Sequence, residues 1–342
     1  MVTRGSAPGR VNLIGEHIDY NGGMVLPAAL AIGLEVELTP RADDIVTITA
    51  DHYEGPARRT MDDIASGHWS DASLGALCQA RALGLLDGGA DLAIRSTIPE
   101  GSGLSSSAAL IVAILKAARE AGGGMQSDVN LAVAARTVEN DFMGVPCGIM
   151  DQMAVALAKP GTAMALDTTR LTYEILALPD THAVVVIHSG LTRRLTDGRY
   201  RERKVECDAA KAFFGTDELC LLEPEAIAAA TLDQPYRRRA LHCATEHRRV
   251  QAAIEALKAG DLPALGQAMA ESHASMRDHF EMSLPAIDAL VADAMALGAV
   301  GARLTGGGFG GCIVAVVDKD HQDLWLDALL TRHPKARFIG TV

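Results

Sequence analysis

Residues 98–120 read IPEGSGLSSSAALIVAILKAARE, with glycines and serines set directly ahead of an apolar, alanine-rich run. The backbone N–H groups of such a loop, and of the first turn of the helix it opens, lack intrahelical partners and face whatever lies in front of them. A phosphate is the natural occupant. Gly101 and Gly103 allow the backbone to come close to a ligand, and the hydroxyls of Ser105, Ser106 and Ser107 are able to reach a phosphate oxygen or Mg²⁺. The competing reading is that the serines merely cap the helix. A second glycine cluster, TGGGFGG from Thr305 to Gly311, precedes the apolar run CIVAVV. It holds more glycine than a turn requires, which points to close backbone approach to a ligand or a tight turn beneath another element. Two such loops in one acidic chain favour a phosphorylated nucleotide.

Asp151 poses a different problem, because Ile149, Met150, Met153, Ala154 and Val155 around it are apolar. An ionised carboxylate there needs a cation or hydrogen-bond donors. Arg10 is a candidate partner, and a helix cap is the alternative. Glu139 stands shortly before it in the chain. Residues 9–20, GRVNLIGEHIDY, likewise crowd Glu16, His17 and Asp19 behind the apolar Val11, Leu13 and Ile14. Neither His242 with His247 nor His273 with His279 has the i, i+4 interval of a zinc-binding helix, and most histidines are expected at the surface. The basic run RYRERK (199–204) is expected to be a solvated helix face. There is no Gly-Lys pair, which excludes a Walker A loop, and the protein-kinase signatures HRD and DFG are absent.

Periodicity reveals the elements that must position these groups. Short apolar runs punctuated by Gly, Asn and Pro, such as MVLPAALAIGLEVEL and VTIT (46–49), predict early strands. AALIVAILKAAR (108–119) and NLAVAARTVENDFM (130–143) predict helices separated by Gly122 to Gly124, and a third apolar segment spans 150–157. AVVVIHSG (183–190) predicts a buried strand, and Ala-rich charged helices follow it through Met295. A soft domain boundary falls near residues 165–182. At 342 residues, 49% of them hydrophobic, the chain is long enough for two domains or one large two-lobed one. A formal charge of −12 argues against nucleic acid or an anionic membrane surface as partner. Six scattered cysteines without a CxxC pair, and a start (MVTRGSAPGR) with no apolar core, predict reduced thiols in a soluble cytoplasmic protein.

Together, APGRVNLIGEHIDYNGGMVLP (7–27), IPEGSGLSSSAAL, VPCGIMDQ, SHASMRDHFEMSLPAIDALV (272–291) and GARLTGGGFGGCIVAVV resemble the GHMP small-molecule kinases over nearly the whole chain. The first of these motifs resembles the signature of the galactose-phosphorylating branch. The resemblance implies an α+β fold of two lobes, with a site between them. Residues 1–175 would form an N-terminal lobe like domain 2 of ribosomal protein S5, and residues 176–342 a C-terminal α+β lobe. ATP and Mg²⁺ would take part in phosphoryl transfer to the anomeric hydroxyl of D-galactose, giving the sugar 1-phosphate and ADP. Carried over position by position, Asp151 would take the proton from the sugar hydroxyl, and Arg10 would pair with it and stabilise charge on the transferring group. Glu16, His17, Asp19, Gly148 and Tyr200 would contact the sugar. Gly101, Ser102, Gly103, Leu104, Ser105, Ser106 and Ser107 would cradle the phosphates, with Ser106 and Glu139 on the Mg²⁺ side and Trp69 near the adenine. The partners would be the sugar and ATP, with no nucleic acid or membrane, in a monomer or weak homo-oligomer.

His188-Ser189-Gly190 stands where many members of that branch carry an Asn-Ser-Asn-like triplet, and His279 replaces an acidic residue. A related sugar therefore stays open as substrate: L-arabinose, a uronic acid or an N-acetylhexosamine. A catalytically silent sugar and ATP sensor is the other alternative, and the presence of Asp151, Arg10 and the serine loop weighs against it. Because Asp151 is the lone acidic residue of its apolar segment, Asp151→Asn is predicted to abolish turnover while leaving ATP binding largely intact. Comparable turnover in the purified variant would remove Asp151 from the role of base.

Overall fold

Burial alternates from Thr3 to Pro8 of the first strand, as a sheet covered on one face requires, and the strand's last four residues are all buried. The computed structural model describes residues 1–99, 101–191 and 198–342, so Glu100 of the first glycine loop lies outside the described residues. In chain order its elements are β1 (Thr3–Asn12), β2 (Met24–Val25), β3 (Pro27–Pro40), β4 (Ile45–Ala50), β5 (Ala57–Thr60), α1 (Asp71–Ala82), β6 (Ala90–Ser96), α2 (Ser106–Gly122) and α3 (Asp128–Thr137). Then come α4 (Met150–Leu157), β7 (Thr162–Asp167), β8 (Thr172–Ala177), β9 (His182–His188), α5 (Arg199–Phe214), α6 (Pro224–Ala229) and α7 (Tyr236–Ala259). The chain closes with α8 (Leu262–Asp278), α9 (Pro285–Ala296), β10 (Gly301–Thr305), β11 (Cys312–Asp318), α10 (Gln322–Arg332) and β12 (Arg337–Thr341). Mixed helices and largely antiparallel strands make this an α+β fold, as expected.

Contacts divide the chain into two compact units. The first comprises Met1–Arg10, Ala31–Glu100 and Leu104–Ala158. In its sheet β3 pairs antiparallel with β6, β6 parallel with β4, and β4 antiparallel with β5. Helix α2 is apolar on nearly every face, and Ile111, Val112, Ile114 and Leu115 are wholly buried. A Cβ on Gly5 of β1 would stand 2.0 Å from the carbonyl oxygen of Ala113, so this glycine lets strand backbone rest directly on α2. The α-helix expected over 130–143 ends at Thr137 and continues as a π-helical turn, Val138–Phe142. The Met143 N–H reaches the carbonyl of Val138 across the wider turn, and both Val138 and Glu139 face inward.

The second unit comprises Val11–Leu30, Gly101–Gly103 and Lys159–Val342. Its four-stranded sheet runs β10-β11-β9-β12, antiparallel throughout, with Val314 opposite Val186 at its centre. The strand expected from AVVVIHSG is β9, and CIVAVVD is β11. Helix α8 packs on α7 and on β10. Where α8 meets the start of β10, a Cβ on Gly266 would lie 2.0 Å from the carbonyl oxygen of Val300. Gly266→Ala is therefore expected to cost about 1–3 kcal/mol by overpacking, read as a lower thermal unfolding midpoint. An unchanged midpoint would show that α8 is free to move away.

Candidate active site

Asp151 is the second residue of α4, and its side chain is 32% exposed. Arg10, buried near the end of β1, grips it with two parallel bonds: Nε donates to Oδ1 at 2.8 Å and Nη2 to Oδ2 at 2.6 Å. Fork-to-carboxylate pairing of this kind fixes orientation as well as charge. The Ser105 hydroxyl donates to Oδ2 at 2.5 Å. Arg10 is thus the partner that the apolar surroundings of Asp151 demanded, and Ser105 adds a donor that sequence reasoning did not assign to it. The N–H of Arg10 donates to the carbonyl of Leu104 at 3.2 Å, tying β1 to the residue before this serine.

Gly101 (φ +68°), Gly103 (φ +76°) and Ser105 (φ +61°) all adopt the left-handed region. A Cβ at 101 or 103 would meet nothing within 4 Å, so the backbone conformation and not crowding calls for glycine there. Ser105 is the N-cap of α2 yet, among the described residues, makes no side-chain capping bond, and the first turn carries no acidic residue. Its hydroxyl is committed to Asp151 instead, which answers the capping alternative for Ser105. The first-turn N–H groups of α2 suit an anion. Ser102 and Leu104 are buried, Gly101, Gly103 and Ser106 are exposed, and Ser107 is half-buried.

Glu139 lies buried on the π-helical turn, where its carboxylate accepts from Gln152 Nε2 and, at 3.7 Å, from the Cys147 thiol. Burial pushes its pKa above the ordinary carboxylate range, and the charge of Asp151 pushes the same way. Hydrogen bonds from Ser107, Gln152 and Cys147 oppose them. Gly148 is buried just ahead of α4. Trp69 stacks on Tyr53, with ring centroids 4.3 Å apart and planes 7° from parallel, and His68 lies tilted beside it.

In the second unit, the segment that follows β1 keeps a few backbone bonds, such as those linking Leu13 and Ile14 to Leu26, and side chains satisfy other buried backbone groups. Arg303, at 0% exposure, donates from Nη1 to the carbonyls of Leu13 (2.9 Å) and Asn12 (3.3 Å), while its Nη2 pairs with Glu16 Oε2. Glu16 also accepts from Asn12 Nδ2 (3.0 Å) and, at the start of the second glycine loop, from the N–H of Gly306 (2.9 Å), while the Thr305 hydroxyl stands 3.2 Å from Glu16 Oε1 and nearer, at 2.9 Å, to the carbonyl of Asn12. Burial raises the Glu16 pKa, and Arg303 is the largest opposing influence. On α7, Glu246 accepts from the N–H of Gly15 (3.1 Å), from the Ser272 hydroxyl (2.5 Å) and from Arg249 (2.8 Å). Burial works to raise its pKa, but the cations and donors around it bring it down to about 2. One turn earlier, His242 faces the carbonyl of Glu16 at 3.2 Å with Nε2 and the Ser275 hydroxyl at 2.9 Å with Nδ1. A carbonyl only accepts, so the proton is assigned to Nε2.

His17 holds φ +62°, a left-handed backbone rare for a non-glycine residue. Its ring lies 4.9 Å from that of Tyr200 and 4.7 Å from that of Phe280, with Nδ1 2.7 Å from the Tyr20 hydroxyl. Asp19 beside it is half-buried. Tyr200 occupies the first turn of α5. His188 of the His-Ser-Gly triplet is buried at the end of β9 and accepts from the Gly190 N–H at 3.0 Å, while the Ser189 N–H donates to Gly311 in the second glycine loop.

The expectation for the histidines holds for seven of the eleven, which are exposed or half-buried, while His17, His188, His242 and His273 are buried, each with a polar group at one or both ring nitrogens. One expectation is corrected. RYRERK is not wholly solvated, since Arg203 is buried and donates to the carbonyls of Phe280 and Glu281 and to Glu206. Sequence reasoning also missed Arg303, Glu246 and His242. A charged residue inside GARLTG, and a His and Glu four apart on one helix face, were the available signals.

Three family descriptions match the chain: GHMP kinases N terminal domain over residues 72–159, galactokinase galactose-binding signature over 4–40, and GHMP kinases C terminal over 253–335. A curated galactokinase of Roseiflexus sp. (strain RS-1) is 41% identical over 323 residues, which is 92% of this chain and 83% of that relative. The Lactococcus lactis galactokinase, solved in complex with galactose, superposes with a TM-score of 0.94 at 31% identity, covering 99% of this chain and 93% of the other. The Methanococcus jannaschii mevalonate kinase shares the fold, with a TM-score of 0.71 at 18% identity over 99% of this chain and 96% of that one.

Burial lowers the His242 pKa to about 4, and that of His273 likewise to about 4. Each lies below the ordinary imidazole value of about 6.5, so the unfolded chain takes up protons that the folded chain refuses. Stability is then lost as pH falls from about 6.5 toward 4, by about 3 kcal/mol for His242 alone. Glu246 acts in the same sense at lower pH, whereas Glu16, whose pKa is raised, acts in the opposite sense. The thermal midpoint is expected to drop across that window, and His242→Asn, though less stable at pH 7, should show a shallower drop. An equal drop in both proteins would contradict a neutral buried His242.

Proposed function

The chain belongs to the galactokinase family of GHMP kinases, and from that premise we propose that it transfers a phosphoryl group from ATP to the anomeric hydroxyl of D-galactose, giving galactose 1-phosphate and ADP. The observation that carries this reading is the Asp151 carboxylate, gripped by Arg10 and Ser105 at the start of α2. A carboxylate offers about four acceptor positions. Arg10 takes one on Oδ1, and Arg10 and Ser105 take those on Oδ2, so the remaining position on Oδ1 is the one offered to the sugar hydroxyl as its proton leaves. Arg10 stays fixed through the reaction, which suits a transfer whose acceleration comes chiefly from positioning and electrostatics.

Gly101 to Ser107 cradle the phosphates in this reading, and Trp69 lies beside the adenine. The donors fit Mg²⁺, because Glu139 is a buried carboxylate destabilised by burial and by Asp151, a combination that a divalent cation relieves. Glu139 and the Ser106 hydroxyl would hold the ion, which when bound neutralises charge on the phosphate oxygens. Glu16, His17, Asp19, Gly148 and Tyr200 would read the sugar. Buried polar groups discriminate sharply, since an epimer that fails to meet one leaves it unpaired. Among the described residues the six cysteines form no disulfide, as a reducing setting allows, and no helix is long and apolar enough to cross a membrane.

ADP release measured over D-galactose, L-arabinose, galacturonate and N-acetylgalactosamine, with and without Mg²⁺, tests the reading. Turnover is expected with D-galactose as the preferred sugar and only when Mg²⁺ is present. Preference for another sugar would replace galactose as the substrate, and binding of sugar and ATP without sugar phosphate would make the protein a sensor.

A further inference from the structure

We propose that Arg303 is a positioning residue for the sugar, holding the Glu16 carboxylate and the backbone of residues 12 and 13 in a single arrangement. The proposal rests on the galactose reading above. At Asn12 the strand ends, and the carbonyls of Asn12 and Leu13 take side-chain donors: Arg303 reaches both, and the Thr305 hydroxyl also lies 2.9 Å from the Asn12 carbonyl. The same guanidinium meets Glu16, whose other oxygen takes the Gly306 N–H and lies 3.2 Å from the Thr305 hydroxyl. The sugar signature and the second glycine loop are thereby joined through one fully buried side chain.

Nothing in a purely apolar filling would aim Glu16. Around it stand Arg303 from β10, Glu246 and His242 from α7, Asn12 from β1, and Thr305. Arg303 is the only cation among these that contacts the Glu16 carboxylate in the described residues, since His242 meets the backbone carbonyl and is held neutral by burial. Without Arg303, a buried carboxylate beside Glu246 would protonate more readily. A protonated Glu16 donates from one oxygen where it formerly accepted, which changes what it presents to the loop and to a sugar hydroxyl.

Arg303→Met in the full chain tests the assignment, with folding checked by circular dichroism and cooperative thermal unfolding. The KM for galactose is expected to rise about tenfold or more, and by a clearly larger factor than the KM for ATP, as loss of the one cation that meets the Glu16 carboxylate predicts. The pH below which galactose KM worsens should also move upward in the variant, a shift that loss of packing alone would not produce. A folded variant with unchanged galactose KM and pH profile would overturn the proposal. If Arg303→Met does not fold, Arg303→Lys keeps the charge without the fork. It should raise the galactose KM several-fold, and an unchanged value would again overturn the assignment. Failure of the unsubstituted enzyme to phosphorylate galactose would instead overturn the galactose reading, and with it this inference.

Discussion

Arg303 sits between two carboxylates at zero exposure, and the irregular segment that follows β1 depends on it. Polar backbone without a ladder is costly to bury unless each group finds a partner. Here the partners are polar side chains, most of them from distant parts of the chain: the charged Arg303 for residues 12 and 13, the charged Glu246 for Gly15, and the neutral His242 for Glu16. Lys211 serves the carbonyl of Tyr20, and the nearby Asn21 amide that of His17. Buried ion pairs add little net stability over apolar packing, but removing one member costs about 3–5 kcal/mol. What such groups contribute is direction, and direction is what a segment lined with Glu16, His17 and Asp19 requires.

The first unit solves a different problem with the same chemistry. Its serine loop opens α2 without a side-chain cap among the described residues, because Ser105 spends its hydroxyl on Asp151. Left-handed backbone at 101, 103 and 105 sets the loop's course, and β1 is tied to it through the Leu104 carbonyl. Asp151 is thus fixed from a strand and from a loop, and among the described residues three donors set the direction of its carboxylate. Close packing of β1 on α2, which Gly5 permits, brings Arg10 to the same end of the helix.

Much of this was legible from residue patterns. The helices at α2 and α4, the strands β9 and β11 and the isolation of Asp151 all follow from periodicity and composition, because a 3.6 or a 2.0 period reports directly which face is buried. The π-helical turn was not legible, since the helical pattern runs on through Val138 and only packing decides that the turn widens. Nor were the roles of His242 and Glu246, which sit in the run HCATEHRRV, indistinguishable by charge from a solvated helix face.

The sequence by itself determined which residue types were available for phosphate, proton and sugar chemistry, and which local elements would carry them. It did so because motifs such as GSGLSSS and GEHIDY act through backbone conformation and residue type, both of which are local. Only the tertiary structure decided which charges meet: Asp151 with Arg10, 141 residues apart, and Glu16 with Arg303, 287 apart. Coulombic and hydrogen-bond pairing depends on distance in space. Periodicity along the chain says that a buried charge needs a partner, and the fold alone selects it.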